Sequence, residues 1–293
     1  MSETNGVTFE DALRKTGFGL YSYLLIGAIG VNTVAYVCLA YSSTILLPAS
    51  ACELQTTGSQ KGFLAAGPVI GLILGSGIWG VLADVFGRRR TLLISCLLAA
   101  FVNALASFSV NWIMLLCLQF LTALLTSGQY SQSMAMVSES VPQGKRNMTV
   151  LLVVSISLLS QGIMAVLAIP IIPMTFSYHI PMLDIRWNSW RTLLVVYSLP
   201  SLVAAAWMYT LEESPKFAFA KGREQESLKI LSNIHRINHR WSNKQFEVKK
   251  ILEEAVQNGP RPIKEQIFPL FKMPLLKNTV IMTLLLVFQQ LSF

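Results

Sequence analysis

Charged residues are scarce in this chain, and none falls inside its long apolar runs. They make up 13% of the 293 residues, against about 25% in an average soluble domain. That scarcity excludes an ordinary soluble fold. It also removes the nucleic-acid reading that a net charge of +8 invites, because the charges sit between apolar runs and do not gather on one face. Cysteine is equally sparse: Cys38, Cys96 and Cys117 lie inside apolar runs and Cys52 stands alone in a short loop, so no disulfide framework is implied. The histidines, His179, His235 and His239, lie outside the runs. His235 and His239 have metal-ligand spacing, yet no set of cysteines or carboxylates accompanies them, so a solvated helix face is expected. No serine–histidine–acid or cysteine–histidine constellation stands out. Neither an enzyme, a metal site nor a cofactor is expected.

What the chain has in quantity is hydrocarbon, 53% of its residues. Apolar runs near 20–47, 63–83, 91–110, 112–137, 148–172 and 192–211 are each long enough to cross a bilayer as helix. A further run begins near 278. The first run is no cleaved signal: Glu10, Asp11, Arg14 and Lys15 precede it, it exceeds an h-region, and no A-x-A exit follows. With the N-terminus in the cytosol, twenty Lys and Arg face inward and only Lys61, Arg186 and Arg191 face outward. That bias sets the topology and accounts for the net charge. The triplet Asn147-Met148-Thr149 then lies on the inner side, away from glycosylation. Residues 1–19 read as a cytosolic N-terminal segment, 20–211 as a six-span bundle, 212–277 as a cytosolic basic loop and 278–293 as the start of a seventh span. In the basic loop, Leu228, Leu231, Ile234 and Ile237 repeat at helical spacing. A second amphipathic helix is expected from a Ser242/Gln245 capping box through Val248, Ile251, Leu252 and Ala255.

Residues 80–90, GVLADVFGRRR, form a tight turn between the second and third runs. No Gly-Lys-Ser/Thr follows and no strand precedes, so this is not a phosphate loop. Gly80 is expected to let a neighbouring helix approach, and Gly87 to take the left-handed conformation that ends a helix. Asp84 lies near a helix C-terminus, where the macrodipole disfavours an anion; it needs a partner such as Arg88 or another helix's N-terminus. A plain positive-inside cluster would explain Arg88, Arg89 and Arg90 but not the aspartate.

The pattern G-x-x-x-D-x-x-G-R-R-R resembles the signature loop of the major facilitator superfamily. Glu139, Pro142 and Arg146 after the fourth run resemble the E-x-x-P-x-x-x-R loop of its sugar-porter and related branches, and Glu213-Ser214-Pro215-Lys216 resembles their P-E-S-P-R element, with Glu212 in place of the first proline. Trp190-Arg191 at the start of the sixth run also fits. Phe9-Glu10-Asp11-Ala12-Leu13, Thr16-Gly17-Phe18-Gly19 and the Pro48, Cys52, Glu53 pattern are similar, more narrowly, to synaptic-vesicle-glycoprotein-2-related transporters. The resemblance implies two six-helix halves rocking about a midplane site. This chain would be the N-terminal half: an all-α polytopic membrane protein with the start of a seventh span. It further implies a cytosolic gate in which Asp84, Arg88, Glu139 and Arg146 exchange ion pairs, with Gly80, Gly87, Arg89, Pro142 and Glu213 in the motifs around them.

A solute site has to be built here without span carboxylates. Where related vesicle transporters carry an acidic pair in the first span, this chain has Tyr36 and Leu39, and the fourth-span arginine of many members falls at or near Gln119. Asn32, Tyr36, Gln129, Gln132 and Gln161 remain. Gln161 lies fifteen residues after Arg146, where sugar porters place a substrate-binding glutamine. An amide suits hydroxyl-rich or zwitterionic solutes. Gln161 stays open between ligand and interhelical hydrogen bond, while the others and Asn103 lean to the hydrogen bond. Gly67, Gly71 and Gly75 are expected to pack, with a dimer seam the lesser alternative, and Pro68 and Pro170 are candidate kinks. The expected function is transport of a small organic solute by alternating access. The alternative is a non-transporting receptor, trafficking or dimerising protein on the same half-fold. Expected partners are the solute, the bilayer of a plasma or vesicle membrane, and a second half-bundle or second copy, with no nucleic acid.

Overall fold

The computed structural model describes residues 7–51, 53–181 and 185–240, then Phe246, Val248, Lys250, Ile251, Lys272, Met273, 276–278, Val280, Ile281 and Leu284. Met1–Leu252 form one compact unit and Glu253–Phe293 a second. In the second unit Leu276 N donates to Lys272 O at 3.0 Å, the first bond of a helical turn. Cys52, the expected capping box at Ser242 and Gln245, and Leu252 and Ala255 of the helix expected after it lie outside the described residues.

Among the described residues six helical segments are long and apolar enough to cross a membrane: Leu20–Ser50, Gly58–Phe86, Arg88–Ala106, Trp112–Ser140, Gln143–Ala168 and Ser189–Tyr209. A short amphipathic helix, α1 (Phe9–Lys15), comes first, capped by the Thr8 hydroxyl on Asp11 N. The first span is two helices, α2 (Leu20–Ala40) and α3 (Ser42–Ser50), broken at Tyr41. The second and third spans, α4 (Gly58–Phe86) and α5 (Arg88–Ala106), share Gly87 as their single linking residue.

The fourth span also breaks, into α6 (Trp112–Thr126) and α7 (Gln129–Ser140), where hydropathy alone reads one continuous run. The cause is competition for carbonyls. The Trp79 indole donates to Leu124 O at 2.9 Å and the Ser95 hydroxyl to Leu125 O at 2.8 Å. Those are the acceptors that Gly128 N and Gln129 N would need to continue the helix. Gly128 itself is required by close approach, since a Cβ there would sit 2.8 Å from Gln132 Nε2 and closer still to Trp79. The fifth and sixth spans are α8 (Gln143–Ala168) and α9 (Ser189–Tyr209). An unanticipated hairpin joins them, β1 (Tyr178–Ile180) antiparallel to β2 (Ile185–Trp187) with His179 opposite Arg186. Two helices follow, α10 (Pro215–Ala220) and α11 (Glu224–Asn238).

Gly67, Gly71 and Gly75 pack within the chain, against α6: a Cβ on Gly71 would lie 2.5 Å from Phe120 O. Gly71→Ala is therefore expected to cost about 1–3 kcal/mol by overpacking. Gly77→Ala, whose Cβ meets nothing within 4 Å, serves as the neutral control. Thermal unfolding of both variants checks this.

Several expectations are corrected here. Gly80 admits no neighbour, because a Cβ on it also meets open space. Pro170 kinks nothing, since α8 ends at Ala168 and Pro170 sits in the turn beyond; Pro68 does lie within α4. His235 is buried, not solvated. Its ring stacks on His239 at 4.1 Å and its Nδ1 meets Lys15 O at 3.0 Å. Ile251 is not helical: it forms a parallel bridge with Val7, its N–H donates to the Glu224 carboxylate, and it packs with Phe9, Leu13, Leu231 and Val248.

Candidate functional site

The motif loops meet at one end of the bundle, around Arg88. Gly87 has φ +103° and ψ 158°, a region essentially restricted to glycine. This turns the chain from α4 straight into α5 and leaves the first N–H groups of α5 without intrahelical partners. Glu213, 124 residues later, fills that vacancy: its carboxylate accepts from Arg89 N at 2.8 Å and Arg90 N at 3.4 Å. A Cβ on Gly87 would stand 2.6 Å from Glu213 Oε2. Arg89 works in the other direction, donating through Nε and Nη2 to Met208 O and Tyr209 O, the last carbonyls of α9.

Arg88 is the hub. Its Nη1 pairs with Asp84 at 2.8 Å and donates to Ala83 O at 2.8 Å, its Nη2 lies 3.4 Å from Glu139, and its guanidinium sits over the Phe217 ring at 5.6 Å. Glu139 in turn accepts from the Ser214 hydroxyl at 2.5 Å, and Ser214 Oγ caps α10 by accepting from Phe217 N. The side chains of Arg88 and Glu139 are 17% and 15% exposed, whereas that of Asp84 is 63% exposed. So one carboxylate of the hub is enclosed and the other faces outward.

Arg146 does not join this hub. Just after Pro142, the N-cap of α8, it forks onto Glu10 of α1 at 2.9 and 3.1 Å. The structure thus brings together Asp84, Gly87, Arg88, Arg89, Glu139 and Glu213, and places Arg146 in a separate clasp with the N-terminal helix.

The candidate solute residues divide by burial. Asn32 is fully buried and engaged through both amide atoms, Nδ2 donating to Ser133 Oγ at 2.8 Å and Oδ1 accepting from the Cys96 thiol at 3.0 Å. Gln129 donates to Ser95 Oγ at 2.9 Å and Gln132 to Trp79 O at 3.1 Å. Both amide orientations are fixed, because the Ser95 proton is committed to Leu125 O and a carbonyl can only accept. Their Oε1 atoms are left buried and unpartnered. Asn103 is interhelical glue as expected, part of a chain from Ser42 through Gln119 to Ser198 and Leu194 O.

Tyr36 is partly exposed and packs on Tyr41 and Tyr130, ring centroids 6.3 and 6.0 Å away. Gln161 is exposed on α8. The first and fifth spans run the same way, and a Cβ on Gly30 would lie 3.1 Å from Ile156 Cδ1. Tyr36, six residues on from Gly30, and Gln161, five on from Ile156, therefore sit within about 2 Å of the same depth at 1.5 Å per residue.

Sequence reasoning missed Glu10, Tyr41 and Tyr130. No periodicity marks them: the partners of Glu10 and Tyr130 lie in distant segments, and Tyr41 meets Tyr36 only where the first span breaks. At the opposite end, Glu53 receives Asn188 Nδ2 at 2.9 Å, Trp190 Nε1 at 2.6 Å and Arg191 Nη2 at 2.9 Å, while Arg191 Nη1 donates to Ser107 O. Among the described residues no three His, Cys, Asp or Glu gather as a metal site.

Six spans, a closed arginine–carboxylate hub and inward polar glue define a polytopic membrane bundle with the architecture of a secondary-transporter half. A profile of the Major Facilitator Superfamily matches residues 33–293, and the chain belongs to that superfamily. It is 27% identical over 233 residues to synaptic vesicle glycoprotein 2A of Rattus norvegicus, covering 79% of this chain and 31% of that protein. It is 28% identical over 255 residues to SVOPL of Mus musculus, covering 86% and 48%. The chain thus spans less than half the length of these curated relatives. Among solved structures, the proton:xylose symporter XylE bound to 6-bromo-6-deoxy-D-glucose aligns at TM-score 0.61 and 17% identity, covering 74% of this chain and 49% of that one. The inward-open xylose transporter XylE of E. coli aligns at 0.57 and 18%, covering 75% and 56%. These likenesses establish the fold.

Proposed function

We propose that the chain is the N-terminal half of a secondary transporter of small organic solutes, working by alternating access with the Arg88 hub as its cytosolic gate. The observation that carries this is the asymmetry of the hub. Arg88 is held between an enclosed Glu139 and an outward-facing Asp84, so one of its two partners is free to be claimed by an opposing helix as the halves rock. Gate motions of this kind need two arrangements of comparable energy, and an exposed ion pair worth no more than about 1 kcal/mol can be exchanged cheaply. Gln161, with Tyr36 at the same depth, is the solute-facing polar group of this half. An amide and a phenol at one depth suit a hydroxyl-bearing or zwitterionic solute. Arg146 with Glu10 ties the N-terminal helix to the gate end.

The internal engagement of Asn32 and Gln129 favours a second reading, a non-transporting membrane protein on the same half-fold. Counterflow in proteoliposomes, with this half joined to a second half-bundle, separates the two. Hydroxyl-rich and zwitterionic solutes are screened, and at least one is expected to exchange. Asp84→Asn is expected to lower that exchange about tenfold at equal reconstituted protein, by shifting the gate equilibrium. Unchanged exchange in Asp84→Asn would remove the gating role, and counterflow of no solute would establish the second reading.

A further inference from the structure

Beside the hub lies a cleft of about 380 Å³ that shares Arg89, Glu213 and Phe217 with the gate end and extends past them to α11. One wall is the start of α5, with Arg89 and Arg90; the other is α11, with Lys229 and Asn233. Its carboxylates are already engaged. Glu213 caps α5, Glu212 accepts from Asn233 Nδ2 at 3.1 Å, and Glu226 pairs with Arg223 at 3.3 Å. Arg89 spends Nε and Nη2 on the end of α9. Two cations remain, Arg90 and Lys229, exposed on opposite walls, with no hydrogen bond or ion pair to their side chains among the described residues. The lining sets Arg89, Arg90, Arg223 and Lys229 against Glu212, Glu213 and Glu226, so cations are in excess and Arg90 and Lys229 are the two left to hold an added anion.

We propose that this cleft binds a phosphate monoester, carried on a membrane lipid headgroup, between Arg90 and Lys229. The ligand class follows from the donors. A guanidinium offers a planar fork to two phosphate oxygens and an ammonium a point charge to a third. A monoester carries between one and two negative charges near neutrality, which suits the two uncommitted cations, Arg90 and Lys229. A basic peptide, the other guest that glutamates could attract, would meet Arg90 and Lys229 first. The lipid source follows from position. Phe86, which lines the cleft, and Tyr209, over whose ring Arg89 lies at 5.7 Å, are the last residues of the second and sixth spans and are 56% and 72% exposed. Aromatic side chains at span ends mark the headgroup level, so a headgroup can reach the cleft without leaving the bilayer.

Native mass spectrometry of the purified chain tests this with three probes: phosphatidylinositol 4-phosphate, phosphatidylinositol lacking the monoester, and inorganic phosphate. The phosphorylated lipid is expected to be retained well above the unphosphorylated one. The double variant Arg90→Gln, Lys229→Gln is expected to lose about tenfold or more in retention, while Lys229→Arg keeps it. Circular dichroism should show unchanged helix content, because neither side chain holds a described contact. Equal retention of both lipids, or full retention by a folded double variant, would overturn the site. Displacement of the lipid by inorganic phosphate at matching concentration would overturn the lipid assignment and make the ligand a free phosphate.

Discussion

Glu53→Ala is expected to lower the thermal-unfolding midpoint of the chain by roughly 10 °C, the largest single-residue effect outside the apolar core. Arg191 is 1% exposed and Glu53 is its only carboxylate partner among the described residues. Removing the acid leaves a guanidinium buried over the Trp190 ring, with Ser107 O as its remaining acceptor and its Nε already unpartnered. Orphaning one member of a buried ion pair costs about 3–5 kcal/mol, far more than the pair contributes relative to apolar residues of the same volume. The Trp190 indole and the Asn188 amide lose their acceptor in the same stroke. Glu53→Gln separates the two losses: its one amide oxygen can still accept from both Trp190 Nε1 and Asn188 Nδ2, which share Oε2, while the charge is lost and an NH2 donor faces Arg191, so its midpoint should fall between wild type and Glu53→Ala. Equal midpoints for wild type and Glu53→Ala would show that the clasp contributes nothing.

Gly87→Ala should be the most damaging change at the gate end. The alanine must hold φ +103°, at a cost of about 1–3 kcal/mol for the backbone. Its Cβ would also press to 2.6 Å from Glu213 Oε2 and 2.9 Å from Cδ, so the carboxylate has to leave Arg89 N and Arg90 N. A lost helix cap adds about 1 kcal/mol. The two costs can be told apart. Glu213→Ala alone removes the cap, and in the Gly87→Ala background it removes nothing further, because the cap is already displaced. The double variant should therefore be less destabilised than the sum of the singles, by about the value of the cap. Strict additivity would mean that Glu213 does not cap α5.

Much of this architecture can be read from composition. The six spans follow from unbroken hydropathy, and the Asp84–Arg88 pair follows from its i, i+4 spacing at a helix end. Gly67, Gly71 and Gly75 pack where their spacing by four puts them. What escaped was decided by tertiary competition. The break in the fourth span exists because Trp79 and Ser95, on two other helices, take the carbonyls of Leu124 and Leu125, and no local pattern encodes that. Glu10 and Arg146 are 136 residues apart, so neither announces the other. Asn32 and Gln161 read alike as amides in apolar runs; only burial tells that one is spent and the other presented. Gly80 resembles Gly75 in sequence and differs only in having no neighbour.

The Glu53 clasp also has a consequence for how the chain is made. Its acid emerges with the first span, while its three donors lie 135 to 138 residues later. At about 5–20 residues per second of synthesis, the acid waits roughly 7–28 seconds at the membrane surface before Arg191 exists. The Tyr21 N–H waits longer still for its acceptor on Asn238, 217 residues away. During that interval the first span has neither of its terminal anchors, and its register in the bilayer rests on its apolar length alone. The sixth span and α11 therefore act as the closing stitches of the nascent bundle, and a ribosome stalled between the fifth and sixth spans would expose an unclasped intermediate to quality control.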